Sequence, residues 1–140
     1  MNGVRAFFDT NVLLYIHSSG APDKQSRATD LFDSFSSSGH LLLSTQVVQE
    51  FYVAGSRKLR MPHRKLQEAT EALLDLPLIV VGASHIASAI RLEARYGISF
   101  WDALILAAAE SGGAEVLYTE DLNDGQQYGT VTVRNPFRLP

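Results

Sequence analysis

An α/β fold with a mostly parallel sheet covered by helices on both faces is the architecture this sequence predicts. Short apolar runs alternate with longer amphipathic or apolar segments along the whole chain, and that alternation requires crossover connections between parallel strands. The runs are rich in β-formers, as buried strands are. The 140 residues are 46% hydrophobic and 19% charged. That is material for one sizeable core and the usual length of one domain, spanning 1–140.

Val4 to Phe8 reads as the first buried strand, and Asn11 to His17 as a short helix broken by Gly20-Ala-Pro22. Asp23 to Ser36 follows as an amphipathic helix with Ala28, Leu31, Phe32 and Phe35 on one face. Ser36 to Gly39 turns the chain into a second strand, Leu41 to Leu43. Ser44 or Thr45 then caps a helix that runs to about Ser56. The basic stretch "RKLRMPHRK" is a connector, and Pro62 suits the first turn of the helix that continues to about Leu74. Pro77 marks its end, and Leu78 to Val81 is a third strand. Ser84 to Tyr96 is a helix closed by Gly97, and Ser99 starts the next, which Gly112 and Gly113 stop. Val116 to Tyr118 is a fourth strand. After a polar loop, Thr130 to Val133 is a fifth, alternating one.

Composition narrows the function. The chain has no cysteine, which removes disulfides and thiolate chemistry. It has no apolar run near the ~18 residues of a membrane span and no signal-peptide pattern, so a cytoplasmic protein is expected. The net charge is −3. A nucleic-acid partner would therefore be held by a local basic patch or through metal ions that offset acidic side chains. The four histidines (His17, His40, His63, His85) lack zinc spacing, and glycine-rich phosphate loops and G-x-S-x-G elbows are absent.

Four acids fall where a parallel sheet gathers function, at the carboxyl ends of its strands. Asp9 ends the first strand, Asp121 follows the fourth, Glu50 lies on the helix entered from the second, and Asp102 lies in the first turn of "SFWDALILAAA". Each has a plainer reading. Asp9 suits an N-cap, Asp102 stands at capping-box spacing from Ser99, Glu50 is an ordinary helix former, and Asp121 sits in an acidic trio with Glu120 and Asp124 that reads as a turn. Asp102, however, belongs to a helix that is apolar nearly all round, where a carboxylate needs a partner or a cation. Two carboxylates ~4 Å apart repel by about 4 kcal/mol at an effective dielectric near 20. Four converging on one rim call for a hard divalent cation such as Mg²⁺ or Mn²⁺.

The stretches "FFDTNVLLY", "STQVVQEFY", "SFWDALILAAA" and "YTEDLNDGQ", in that order, resemble the four acidic motifs of PIN-domain ribonucleases. They are most similar to those of VapC-type toxins from bacterial toxin–antitoxin pairs. The resemblance covers essentially the whole chain. It implies a three-layer α/β/α sandwich and a metal-dependent endoribonuclease in which Asp9, Glu50, Asp102 and Asp121 bind Mg²⁺ or Mn²⁺ and carry catalysis. It singles out Asp121 within the acidic trio. Thr10 and Asn11 match the polar pair after the first acid, and Thr119 a hydroxyl near the metal. A homodimer and a small antitoxin that occludes the site are implied as well.

Arg57, Lys58, Arg60, His63, Arg64 and Lys65 are the candidate grip on RNA phosphates, against the plainer reading of a solvated connector. Other functions stay open. Asp9 at a strand end also fits the nucleophile of a phosphohydrolase, although haloacid-dehalogenase-like phosphatases carry a second Asp where this chain has Asn11. A non-catalytic RNA- or protein-binding module would leave the acids without a cation.

Overall fold

The computed structural model describes residues 3–138. In chain order the elements are β1 (Ala6–Phe8), α1 (Thr10–Ile16), α2 (Pro22–Ser38), β2 (Leu41–Ser44), α3 (Thr45–Arg57) and α4 (His63–Leu74). They continue with β3 (Leu78–Ile79), α5 (Ala83–Tyr96), α6 (Phe100–Ser111), β4 (Val116–Tyr118), β5 (Gln127–Tyr128) and β6 (Val131–Arg134). The strands form one six-stranded sheet in the order β3-β2-β1-β4-β6-β5. Every pairing is parallel except β5 with β6. Helices flank the sheet, giving a three-layer α/β/α sandwich.

The sheet order decides where a site can form. From β1 the chain crosses to β2 on one side, while β4 returns to the other side of β1. Such a reversal opens a crevice beyond the carboxyl ends of the strands. Phe8 pairs with Tyr118 at the end of the β1–β4 ladder, and the Asp9 N–H extends it by donating to the Tyr118 carbonyl at 3.0 Å. The residues that follow the two strands, Asp9 and Thr119, therefore leave the sheet side by side.

The core anchors that end of the sheet. Phe8 is fully buried and meets Phe32 and Phe35 of α2, and Tyr118 of β4, edge-on with centroids 5.5 to 6.3 Å apart. Truncating such a ring to alanine costs roughly 3–5 kcal/mol. Ala103 to Ala109 of α6 are all buried, and that helix packs on α5, β2, β3 and β6. Its small side chains allow the close approach. Gly55 does the same between α3 and α4, because a Cβ there would stand 2.6 Å from Leu66 Cδ1.

Local expectations differ from the structure in a few places. The polar loop after β4 contains an additional strand, β5, which pairs through Tyr128 and Val131 into a hairpin on β6. Two residues with little apolar content carry no legible strand period. The third strand stops at Ile79 because β3 is an edge strand whose continuation, Val80, is 71% exposed. Pro62 occupies the N-cap just before α4 rather than its first turn. Ser44, not Thr45, caps α3, its Oγ accepting from the Val47 N–H. No helix of the described residues is long and apolar enough to cross a membrane.

Candidate active site

Asp9 combines the plain and the functional readings of its position. It is the N-cap of α1, with Oδ1 accepting from the Thr10 N–H at 2.7 Å. Its Oδ2 accepts from the Thr119 hydroxyl, also at 2.7 Å. Thr119 is fully buried, and its Oγ1 also accepts from the Asp121 N–H at 3.1 Å. The β1–β4 register thus sets Asp9 and Asp121 on one hydroxyl. Asn11, in the first turn of α1, donates from Nδ2 to Asp121 Oδ2 at 3.0 Å.

Asp102 arrives from the other side of the crevice. Ser99 caps α6 by accepting from the Asp102 N–H at 3.1 Å, so the carboxylate projects from the first turn of that apolar helix. Carboxylate oxygens of Asp9, Asp102 and Asp121 lie within 4.8 Å of one another. Glu50 borders the same cleft but stands outside this trio. Its Oε1 accepts from the Thr10 hydroxyl at 2.8 Å and its Oε2 from Gln46 Nε2 at 3.2 Å.

This crowding shifts ionisation. Burial raises the Asp9 carboxyl from 3.8 to about 7, against the hydrogen bonds from Thr119 and Thr10, with further upward pushes from the charges of Asp121 and Glu50. Asp102 is raised for the same first reason, burial, with the Ser99 hydroxyl opposing and Asp121 and Glu50 adding. Among the described residues no Lys or Arg pairs with any of the three aspartates.

The acidic trio after β4 divides by geometry. Glu120 turns away, accepting from the Tyr15 hydroxyl at 2.9 Å and pairing with Lys24 Nζ at 2.7 Å. Asp124 accepts from the Asn135 N–H at 2.8 Å and ties the loop to the end of β6. Asp121 alone of the three enters the cleft. Two further residues join the site. Gln46 bridges Glu50 and the Trp101 carbonyl, and Trp101 borders the cleft beside Asp102. The spacing of Gln46 and Glu50, one helical turn apart, was the available signal for the first. The cleft has a volume of about 250 Å³ and is walled by α1, α3 and α6.

A profile of the PIN domain matches residues 6–124. The chain belongs to the PIN-domain family. Solved structures agree in fold. A toxin–antitoxin complex from Klebsiella pneumoniae superposes with a TM-score of 0.74 at 22% identity, covering 96% of this chain and 99% of that one. VapC20 of Mycobacterium tuberculosis, a sarcin–ricin loop cleaving toxin, gives 0.69 at 22% identity, covering 91% and 98%. DNA-bound VapBC from Salmonella typhimurium gives 0.68 at 18% identity, covering 94% and 97%. None of the curated proteins matches the chain.

In this PIN domain the donor set fits a hard cation. Every candidate ligand is a carboxylate oxygen, as Mg²⁺ and Mn²⁺ prefer. Two buried acceptors beside the carboxylates, Asn11 Oδ1 and Gln46 Oε1, have no hydrogen-bond donor. Such a surplus of acceptors and negative charge is what a cation and its waters satisfy.

The predicted basic residues of the PIN domain separate into two groups. Lys58, the C-cap of α3, borders the acidic cleft. With Arg57 it also borders an adjoining apolar hollow of about 460 Å³ floored by Val53 and Ala54. Arg60 lies in the following turn, in a left-handed conformation (φ 51°). His63, Arg64 and Lys65 open α4 and are exposed. The other histidines have structural partners: His85 receives the Gly82 N–H, His17 packs on Phe51, and His40 contacts the Ser38 hydroxyl.

Proposed function

We propose that this PIN domain is a metal-dependent endoribonuclease acting as the toxin of a toxin–antitoxin pair. The observation that carries the reading is the convergence of Asp9, Asp102 and Asp121, from three remote parts of the chain, within 4.8 Å of one another. Asp9, Asp102 and Asp121 would hold Mg²⁺ or Mn²⁺, with Glu50 completing the acidic set. A divalent ion bound there supplies Lewis acidity, which lowers the pKa of water and offsets charge on a phosphodiester.

The remaining work belongs to the chain's own groups. Glu50 is oriented by Thr10 and Gln46 and retains lone pairs on both oxygens, so it can take the proton of an attacking water. Attack at phosphorus in line with the 3′-oxygen forms the new P–O bond as the P–O3′ bond breaks. The 3′-oxygen leaves as a hydroxyl, taking its proton from solvent, and the other fragment keeps a 5′-phosphate. Thr119 and Asn11 hold Asp9 and Asp121 in register, the orienting role that outer partners of metal ligands play. Lys58 and Arg57 would grip neighbouring phosphates, while Arg60, Arg64 and Lys65 lie farther from the cleft and would contribute less.

The structural neighbours support this reading. VapC20 is a toxin that cleaves the sarcin–ricin loop, and the Klebsiella and Salmonella structures contain toxin with antitoxin or VapBC. A small antitoxin that covers the cleft, a homodimer and a cytoplasmic setting follow for this chain as parts of the proposal. An aspartyl-phosphate mechanism fits less well. Haloacid-dehalogenase-like phosphatases carry a second Asp two residues after the first, and here that position is Asn11, whose Nδ2 donates to Asp121.

The test is direct. Purified protein with Mn²⁺ should cut RNA to 5′-phosphate ends, and EDTA should stop it. Asp9→Asn and Asp121→Asn should each lower the rate by at least roughly a hundredfold. RNA left intact by wild-type protein with Mn²⁺, or cleaved as well by Asp9→Asn, would overturn the assignment.

A further inference from the structure

A large aromatic ring left in water beside an acidic cleft requires an explanation. Trp101 is 62% exposed, yet it directly precedes Asp102 and borders the same cleft as the three aspartates. It sits in the first turn of α6, and its carbonyl accepts from Gln46 Nε2 at 3.2 Å. The Gln46 amide also holds Glu50, so the backbone beneath the indole is tied to the acidic set. Phe100 braces the ring edge-on, with centroids 5.2 Å apart and planes at 77°. Most of the indole surface remains in solvent.

The surroundings specify what would cover it. The cleft is negative on its floor, and its α3 side carries Lys58. With a divalent cation offsetting the aspartates, a ligand that spans the cleft from Lys58 to Trp101 is anionic along its length and flat and apolar in places, which is the alternating chemistry of a single-stranded nucleic acid. An unpaired base can offer its face to an aromatic ring, whereas a base inside a duplex is already stacked on both sides.

We infer that Trp101 is a stacking platform for an unpaired nucleobase next to the scissile phosphate. The inference rests on the nuclease reading above. Lys58, with a divalent cation on the aspartates, would hold backbone phosphate, and the indole fixes the neighbouring base, so the reacting bond is registered over the carboxylates.

The chain contains one tryptophan, so its fluorescence reports this position alone. Intact protein with Mn²⁺ is mixed rapidly with single-stranded RNA, with an abasic ribose-phosphate oligomer of equal length, and with duplex RNA. Quenching before cleavage is expected with the single strand only. In steady-state cleavage, Trp101→Leu should raise KM roughly 5- to 100-fold, the range of a base–aromatic stack, with kcat little changed. Trp101→Phe should restore most of the loss, and circular dichroism should show both variants folded. RNA that binds by anisotropy of a labelled strand without quenching, or an unchanged KM in Trp101→Leu, would overturn the stacking role while leaving the nuclease reading intact. An indole whose emission shifts with protein concentration alone would assign Trp101 to a contact between copies and equally overturn it. Wild-type protein that neither binds nor cleaves RNA with Mn²⁺ would remove the nuclease reading and the stacking with it.

Discussion

The Thr119 hydroxyl donates to Asp9 Oδ2 at 2.7 Å and accepts from the Asp121 N–H at 3.1 Å. One buried group thereby couples the Asp9 carboxylate to the backbone of Asp121, from opposite ends of the chain. Replacing Thr119 by Val keeps the shape and removes both bonds. Asp9 loses a hydrogen bond that holds its pKa down, and the Asp121 N–H loses its partner. The Mn²⁺ concentration for half-maximal cleavage should rise roughly 10- to 100-fold, as for other outer partners of metal ligands. Thr119→Ser should stay near wild type. A Thr119→Val protein with an unchanged metal requirement would show that the hydroxyl does not order the site.

Asp9 gives a pH signature. Its carboxyl sits at about 7 in the fold against an ordinary 3.8, chiefly through burial. Below about pH 4 it is protonated both folded and unfolded and has no effect on stability. Between about pH 4 and 7 the unfolded chain has released the proton and the folded chain has not, so folding is progressively disfavoured. Above 7 the loss is complete, on the order of 4 kcal/mol for the metal-free protein. Asp102 acts in the same direction. In EDTA, Asp9→Asn should therefore melt higher than wild type at pH 8 and by a smaller margin at pH 5. Cation binding requires the ionised carboxylate, so Mn²⁺ should raise the wild-type Tm more at pH 8 than at pH 5.5. Equal shifts at the two pH values would count against Asp9 as a ligand.

Most of this site was readable from the sequence because its positions are set by local rules. Asp9 follows an apolar run that reads as a strand, and parallel pairing brings strand ends together. Thr119, just after β4, was singled out only by the resemblance to PIN-domain ribonucleases. Asp102 stood out as a carboxylate on the buried helix α6. Glu50 was harder, since mid-helix Glu usually faces water, and its connection to the cleft runs through Thr10 and Gln46, which no local pattern encodes. The choice of Asp121 over Glu120 depends on Lys24 and Tyr15, two residues far away in the chain. β5 was missed because its two residues are ordered by the β6 ladder rather than by their own composition.

Those distant partners of Glu120 separate it from catalysis. Lys24 lies 2.7 Å from Glu120 and over the ring of Tyr15 at 4.8 Å. Glu120→Gln should retain near wild-type cleavage and lose at most about 1 kcal/mol, since the pair is partly exposed to solvent. Asp121→Asn should do the opposite, abolishing cleavage with little loss of Tm at pH 8. Cleavage assays and thermal melts on the two variants check this. Glu120→Gln inactive, with Asp121→Asn still cleaving at an unchanged Mn²⁺ requirement, would move the functional acid by one position.

The basic residues should divide as their positions do. Lys58 borders the cleft and, with Arg57, the hollow beside it, so phosphates leaving the aspartates pass these two first. Arg64 instead faces Glu68 at 3.7 Å on an exposed face of α4, where a pair of this kind contributes little. Each phosphate contact that is lost lowers the slope of log affinity against log salt by about 1 and weakens binding to all sequences alike. Lys58→Glu and Arg57→Glu should therefore raise KM for RNA at low salt and flatten its salt dependence, with melting temperature unchanged. Arg64→Glu and Lys65→Glu should alter neither quantity strongly. If the α4 pair moves KM and salt slope as much as Arg57 and Lys58 do, the RNA path runs over α4 and the hollow beside α3 serves another purpose.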